Sequence, residues 1–338
     1  MDERLEMRKD AIKVSIVVPV FNVSAYIERC IKSVMAQTYT NIECIIVDDA
    51  TPDDSIVKCE RLIDSYNGPI SFLILHHERN RGLSAARNTG TDASSGEYIY
   101  YLDSDDEITP ACISILIEAV KKHPEAELVQ GMINAIPYKE FYNRDILKDV
   151  EYIDENIWVR EHFFKLFKKI PLNAWDKLLK KSFLDRYSLS FREGLIHEDQ
   201  QWMFFVVKHL SKYAVVHETT YIHYCGTEGS IMSTTSRQKS AYHWSVIYND
   251  IIENLDYPLY DQQLLCYLFE IIENYGCEGK ISYKVLMSKF RKTVLHRQMF
   301  AIYASLILFQ LSYPLLKGRG CKRIIRKLIR MKMEGLAQ

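Results

Sequence analysis

Residues 42–49 read I-E-C-I-I-V-D-D, and residues 97–106 read E-Y-I-Y-Y-L-D-S-D-D. Each is a short run of β-branched or aromatic residues that ends in acids. Continuous apolar runs of this length are what strands buried on both faces of a parallel sheet require. The acids then mark one edge of that sheet, because ligands of open α/β sheets bind at the carboxyl ends of the strands. Carboxylates gathered at converging strand ends repel one another, and a cation or a polar ligand relieves the cost. Asp48 and Asp49 at one end, and Asp103, Ser104, Asp105 and Asp106 at the other, are therefore candidate site residues.

The flanking sequence repeats the pattern. V-S-I-V-V-P-V-F at 14–21 and I-S-F-L-I-L-H-H at 70–77 are two further strands. Between the strands lie helix signals. Ile27, Ile31, Val34 and Met35 keep helical spacing behind Ser24 as N-cap. Ile56, Cys59 and Ile63 share one face of a second helix, S-A-A-R-N-T-G-T-D-A-S at 84–94 reads as a third, and a fourth closes near His123-Pro124. The β-α-β-α-β-α-β order predicts an α/β fold with a parallel sheet. Beyond about residue 238 the pattern is helical.

Composition narrows the class. The 338 residues are 48% apolar and 26% charged with a net charge of −1, an ordinary globular balance that does not make the whole chain a trap for nucleic acid. The eight cysteines, Cys30, Cys44, Cys59, Cys112, Cys225, Cys266, Cys277 and Cys321, contain no C-x-x-C pair. They read as buried thiols rather than zinc ligands. The charged start M-D-E-R-L-E-M-R-K-D lacks the apolar stretch of a signal peptide. Together these point to a cytoplasmic protein.

V-S-I-V-V-P-V-F-N, I-I-V-D-D-A-T-P-D-D-S, N-R-G-L-S-A-A-R-N-T-G and G-E-Y-I-Y-Y-L-D-S-D-D follow in order between about Val14 and Ala119. This series resembles the nucleotide-sugar-binding half of family 2 glycosyltransferases, which have the GT-A fold. Two departures are mild: Phe21 stands where Tyr is usual and Ala50 where Gly is usual. The resemblance implies that Pro19 and Phe21 line the base and that Asp49 accepts a hydrogen bond from a base ring N–H, with Asp48 supporting the turn. Asn80 and Gly82 sit by the nucleotide, Arg87 faces the diphosphate or the donor-side acids, and Asp103 with Ser104 meets the donor. Asp105 is implied as the main metal ligand, with Asp103 beside it. The leaving group is a nucleoside diphosphate, and its developing charge needs a cation. No G-x-x-x-x-G-K-[ST] loop is present, so carboxylate-held Mn²⁺ or Mg²⁺ is the natural replacement.

F-R-E-G-L-I-H-E-D-Q-Q-W at 191–202 carries Glu198-Asp199, which resembles the family's E-D with Asp199 as general base. A base must take the proton of the attacking hydroxyl; the alternative is a plain helix N-terminus, where acids are also favoured. N-A-W-D-K-L at 173–178 resembles the family's acceptor-side pattern, which implies that Trp175, Asp176 and Lys177 line the acceptor cleft, with core packing an equal reading for Trp175. In Y-I-H-Y at 221–224, His223 is a candidate third metal ligand or a structural histidine. The implied organisation is a nucleotide-sugar-binding half at 12–120, an acceptor and catalytic-base half at 121–235, and a helical region at 236–338. The last carries an apolar stretch at 301–316 and then eight Lys and Arg residues between 317 and 332 without an acid. Such a tail either docks on an anionic membrane surface or packs on the protein.

These motifs imply transfer of a sugar from a nucleotide-sugar, favouring UDP, to a hydroxyl of a glycan or lipid-linked glycan with inversion, in cell-surface polysaccharide synthesis. A nucleotidyltransferase would show a glycine- and lysine-bearing phosphate loop after the first strand, which V-P-V-F-N-V-S lacks. An inactive nucleotide-binding relative would lack Asp105 or Asp199, and both are present.

Overall fold

A computed structural model describes residues 12–138, 147–163, 170–227 and 235–256, with two isolated positions at 288 and 292. The chain forms two compact units. The first comprises Met1–Val159 and Ile170–Thr234, and the second Arg160–Lys169 and Thr235–Gln338.

In the first unit, strands β1 (Val14–Val20), β2 (Ile42–Asp48), β3 (Ser71–His76) and β4 (Tyr98–Tyr101) pair in parallel in the order β3-β2-β1-β4. Every residue of β1 is buried, as a central strand covered on both faces requires. Pro19 is tolerated there because β4 pairs with β1 only as far as Val17, so the missing N–H falls beyond that ladder. Helices α1 (Ile27–Met35), α2 (Ser55–Asp64) and α3 (Leu83–Ala93) connect these strands. Ile27, Ile31 and Val34 of α1 enter one core with Ile56 and Cys59 of α2 and the β1 and β2 side chains. Helix α4 (Cys112–Lys122) adds Ile113, Leu116 and Ile117 to it. Cys30, Cys44, Cys59 and Cys112 are buried thiols.

Ser24 does not cap α1. The N-cap position is Tyr26, with no side-chain cap. The Ser24 hydroxyl instead bonds Asp54 and accepts from Lys58 Nζ at 2.6 Å, while its backbone N–H donates to Asp53 Oδ2 at 2.8 Å. Asp53 Oδ1 also accepts from the Thr51 hydroxyl at 2.8 Å and Ser55 Oγ at 2.5 Å. The acid-rich stretch after β2 thus braces the loop after β1, and this interloop brace takes the oxygen that a local cap would have used.

The all-parallel expectation stops at β4. Strand β8 (Lys177–Lys180) lies antiparallel to β4 and to β6 (Leu128–Ile136), and β9 (Tyr213–Tyr224) runs parallel to β6. Short strands β5 (Glu107–Ile108) and β7 (Tyr152–Ile153) pair antiparallel to β9. Helices α5 (Asn156–Phe163), α6 (Lys181–Arg186) and α7 (Glu198–His209) complete the described elements before residue 210. The later strands are not each joined by a crossover helix, so nothing forces a parallel sense on them. Their arrangement carries residues 173–177 and 219–224 against the acid turn that follows β4. In the second unit, helix α8 (Arg237–Glu253) is capped by Ser236, whose side chain accepts from Lys239 N. Among the described residues, no helix is long and apolar enough to cross a membrane. The basic tail and Cys266, Cys277 and Cys321 lie outside the described residues.

Ala50 has φ +54°, in the left-handed region that disfavours a β-carbon. An Ala at this position is therefore strained. Ala50→Gly is expected to stabilise the protein by about 0.5–1 kcal/mol, after the entropy lost to glycine in the unfolded chain is offset. Thermal denaturation of the two proteins checks this; an unchanged or lower Tm counts against the strain.

Candidate active site

Arg87 projects from α3 into the centre of the first unit and is 1% exposed. Its Nη2 donates to Asp103 Oδ1 at 2.8 Å, and its Nη1 to Glu198 Oε1 and Asp199 Oδ1, both at 2.8 Å. One guanidinium therefore joins the turn after β4 to the first turn of α7, with the Phe191 ring 5.2 Å from its carbon. Burial opposes the charge of Arg87, but Asp199, Asp103 and Glu198 outweigh it and raise its pKa. Burial and mutual repulsion raise the carboxyl pKa of Glu198; burial raises that of Asp199, and Arg87 offsets only part of each shift. Glu198 and Asp199 do occupy a helix N-terminus, behind a left-handed His197, so the cap reading and the ion-group reading describe the same residues.

Asp199 reaches the segment 174–177 as well. The Ala174 backbone N–H bonds it, and the charge of Lys177 attracts it. Trp175, Asp176 and Lys177 are all buried. Asp176, at φ +61°, accepts from the Thr220 hydroxyl at 2.7 Å. Burial lowers the Lys177 pKa, with Asp176 and Asp199 opposing. Trp175 stacks on Tyr221 at 4.4 Å and on His223 at 4.9 Å. Trp175 and Tyr221 belong to the main hydrophobic core.

After β2, Asp49 is 2% exposed. Its Oδ1 accepts from Arg81 N at 2.8 Å and pairs with His77 Nδ1 at 2.7 Å, and its Oδ2 accepts from Gly82 N at 2.7 Å. Asp49 therefore shapes the 77–82 loop. Gly82, at φ +89°, starts α3. Asp48 receives Thr51 N at 2.8 Å and contacts His76 at 2.9 Å. Pro19 is buried, while Phe21 is 44% exposed just beyond β1 and Asn80 is exposed in the loop.

The acid turn itself divides its work. Ser104 is buried. Asp105 Oδ2 accepts from the Thr227 hydroxyl at 2.7 Å, and burial with the charges of Asp106 and Asp103 pushes its carboxyl up to about 6. Asp106, fully buried, accepts from Tyr221 OH at 2.8 Å and Tyr224 N at 2.8 Å, and pairs with His223 Nδ1 at 2.9 Å. The bond and charge of Asp106 hold the His223 pKa above its ordinary value despite burial. The sequence reading named Asp106 among the strand-end acids and His223 as a candidate ligand but did not pair them, and Tyr221 and His77 escaped it. The alternation of Tyr221 and His223 on one strand was the available signal.

Among the described residues, no group of three or more His, Cys, Asp or Glu side chains is gathered as a cation-binding cluster. The donor chemistry still suits a hard cation. Mg²⁺ is commonly held by one or two carboxylates plus substrate phosphates, and Asp105 is a carboxylate whose charge its surroundings disfavour. In His223 the nitrogen engaged by Asp106 is Nδ1, and a carboxylate partner on one ring nitrogen is common among metal-binding histidines.

The profile of "Glycosyl transferase family 2" matches residues 15–188, just over half of the chain. The chain belongs to this family. It is 33% identical to glycosyltransferase GlyA of Streptococcus pneumoniae over 55% of its own length and 27% of GlyA. It is 30% identical to glycosyltransferase GlyG of the same organism over 65% of its length and 73% of GlyG. It is 25% identical to the minor teichoic acid biosynthesis protein GgaB of Bacillus subtilis over 88% of its length and 32% of GgaB. The matched region thus spans about a quarter of GlyA and a third of GgaB. The fold is GT-A. The structure of S. aureus TarS 1–349 in complex with UDP-GlcNAc aligns with a TM-score of 0.65 at 18% identity, covering 96% of this chain and 91% of that one. The mannosyltransferase PcManGT from Pyrobaculum calidifontis, in complex with GDP-Man and Mn²⁺, aligns with a TM-score of 0.55 at 15% identity, covering 99% and 92%.

Arg87→Met removes the one cation bonded to three carboxylates. Leaving buried charges unpaired costs about 3–5 kcal/mol. The sign of the pH dependence follows from the raised carboxyl pKa values of Glu198 and Asp199. Without Arg87 these acids rise further, so the unfolded state holds fewer protons than the folded one above about pH 4, and the stability deficit grows with pH. Denaturant melts from about pH 8 down to about pH 5 are expected to show the deficit shrinking; a deficit independent of pH argues against the carboxylates as its source.

Proposed function

We propose that the protein transfers a sugar from a nucleoside diphosphate sugar to a hydroxyl of a glycan or lipid-linked glycan, with inversion at the anomeric carbon. The observation that carries the reading is the Arg87 ion group, which holds a donor-side acid, Asp103, and a helix-borne acid, Asp199, on one guanidinium. Asp199 is the proposed general base. As the acceptor oxygen bonds the anomeric carbon, its proton passes to Asp199, and the electron pair of the breaking C–O bond leaves with the nucleoside diphosphate. A carboxyl whose pKa is raised by burial is a better proton acceptor than an ordinary aspartate, which suits this task. No covalent sugar–enzyme intermediate is required.

Mn²⁺ or Mg²⁺ is the proposed cofactor, with Asp105, Asp103 and His223 as the groups of this chain that would hold it. When bound, such an ion supplies positive charge against the departing diphosphate. The proposed donor carries uridine. Phe21 offers an exposed ring beyond β1, and Asp49 Oδ2 keeps a second lone pair for a ring N–H beside its bond from Gly82. TarS in complex with UDP-GlcNAc supports this choice, and PcManGT with GDP-Man represents the competing one.

Asp199→Asn is expected to lower turnover by roughly 10²–10⁴-fold while UDP binding, measured by calorimetry, stays within about threefold. Asp105→Asn and excess chelator should each abolish transfer. Near-normal turnover by the Asp199 variant, or full activity in chelator, overturns the corresponding role, and tighter binding of GDP or CMP than UDP overturns the uridine assignment.

Eight basic residues between 317 and 332 support reversible docking on an anionic membrane surface from the cytoplasmic side, at about 1 kcal/mol per charge near the lipid. Co-sedimentation with anionic vesicles is expected, weakening at high salt and lost on truncation near residue 300. Vesicles that never bind the protein refute the docking.

A further inference from the structure

Two ion pairs join the segment 77–93 to the segment 191–199, and they differ in kind. The inner one is Arg87 with Glu198 and Asp199, almost wholly buried. The outer one is Arg81 Nη2 to Glu193 Oε1 at 2.9 Å, with the two side chains 42% and 49% exposed. The inner pair is committed: each terminal nitrogen of Arg87 already serves a carboxylate, and 1% exposure keeps the guanidinium from a bound diphosphate. Arg29 is committed as well, to Glu107 at 3.0 Å and to the Asp105 carbonyl at 2.6 Å, with its guanidinium 3.6 Å from the Tyr224 ring. The outer pair is exchangeable. An exposed pair of this kind contributes little and trades readily for another anion.

The position of Arg81 is specified by the backbone. Its N–H is held by Asp49 Oδ1, and the next residue, Gly82, is held by Oδ2 and starts α3. Arg81 thus stands where the loop shaped by the buried Asp49 meets the positive end of a helix, six residues before Arg87. Glu193 is placed with similar firmness from the other side, because Asn88 of α3 donates to the Phe191 carbonyl and accepts from the Phe191 N–H, each at 2.8 Å. Arg81 and Glu193 therefore meet because both backbones are anchored, and either side chain can swing away while its backbone stays.

We propose that Arg81 binds the diphosphate of the donor and that Glu193 holds its guanidinium in place until the donor arrives. The inference rests on the nucleoside diphosphate sugar reading above and adds the arginine that meets the phosphates. A guanidinium matches a phosphate as a bidentate donor, and the dianionic ligand outcompetes one half-exposed carboxylate. When Arg81 moves to the phosphates, Glu193 loses its partner five and six residues before Glu198 and Asp199. Donor binding is thereby felt on the segment that carries the proposed base.

The test is calorimetry of UDP with Mg²⁺ against the wild-type protein, Arg81→Met, Glu193→Gln and the double variant, with uridine as the control ligand and GDP and guanosine run in parallel. Both residues are half-exposed, and circular dichroism with thermal melts confirms that each variant is folded. Glu193→Gln removes the competing anion and is expected to tighten UDP binding about threefold to tenfold. Arg81→Met is expected to weaken it tenfold or more, the double variant should match Arg81→Met, and uridine affinity should be the same in all four. If Glu193→Gln binds UDP no tighter than wild type, the placeholder role is wrong. If Arg81→Met binds as wild type does, or loses uridine and UDP alike, Arg81 is not a diphosphate ligand. A wild-type protein that binds neither UDP nor GDP overturns the donor reading itself, and the inference with it.

Discussion

A single buried guanidinium organises the first unit. Arg87 is bonded to Asp103, Glu198 and Asp199, each at 2.8 Å. Taking a carboxylate out of water costs several kcal/mol, and only a partner of opposite charge with good geometry offsets it. Arg87 can serve three at once because its fork is planar and presents several fixed donors, which a lysine could not reproduce. The positions of α3, the turn after β4 and the start of α7 are therefore coupled: displacing any of them would leave a buried charge unpaired. Burial raises the carboxyl pKa of Asp199 and Arg87 opposes part of that rise, so the burial that calls for Arg87, rather than the pairing itself, is what raises the basicity of the proposed base.

The strand order explains why these three elements can meet. With β1 central and β4 on the side opposite β2 and β3, the chain reverses its direction of travel across the sheet between β1 and β4, the switch point at whose strand ends ligands of open α/β sheets generally bind. Strand β8 then pairs with β4 in the opposite sense, so its leading segment, Asn173–Asp176, arrives at the end of the sheet where β4 releases Asp103. Strand β9 brings Tyr221 and His223 onto Asp106. The candidate site is thus assembled at one end of the sheet, from groups that follow β2 and β4, precede β8 and start α7.

Much of this was legible from local pattern. The four parallel strands were readable because strands buried on both faces must be continuously apolar, and their acid termini stood out against that background. The helices α1 to α4 followed from spacing, since Ile27, Ile31 and Val34 can share a face only on a helix. Where local reasoning failed, a distant partner had won. Ser24 has the chemistry of an N-cap, yet its oxygen goes to Asp54 and Lys58, which lie 30 and 34 residues away. Trp175 was open between core and cleft; it packs in the main hydrophobic core and stacks on Tyr221 and His223, partners that no local pattern named.

By itself the sequence determined which residues are apolar and at what period, and hence the elements, the α/β class and the acids that end the strands, because those depend on neighbours a few residues apart. It also carried the motif series by which the family is recognisable. Only the tertiary structure decided which acid answers to which partner. Asp103, Asp105 and Asp106 are adjacent in the chain, yet one pairs with Arg87, one with Thr227, and one with Tyr221 and His223. The physical reason is that the energy of a carboxylate is set by its burial and by the charges and donors within a few ångströms. Those come from other elements, 16 residues away for Asp103 and more than a hundred for Asp105 and Asp106, and no local pattern records them.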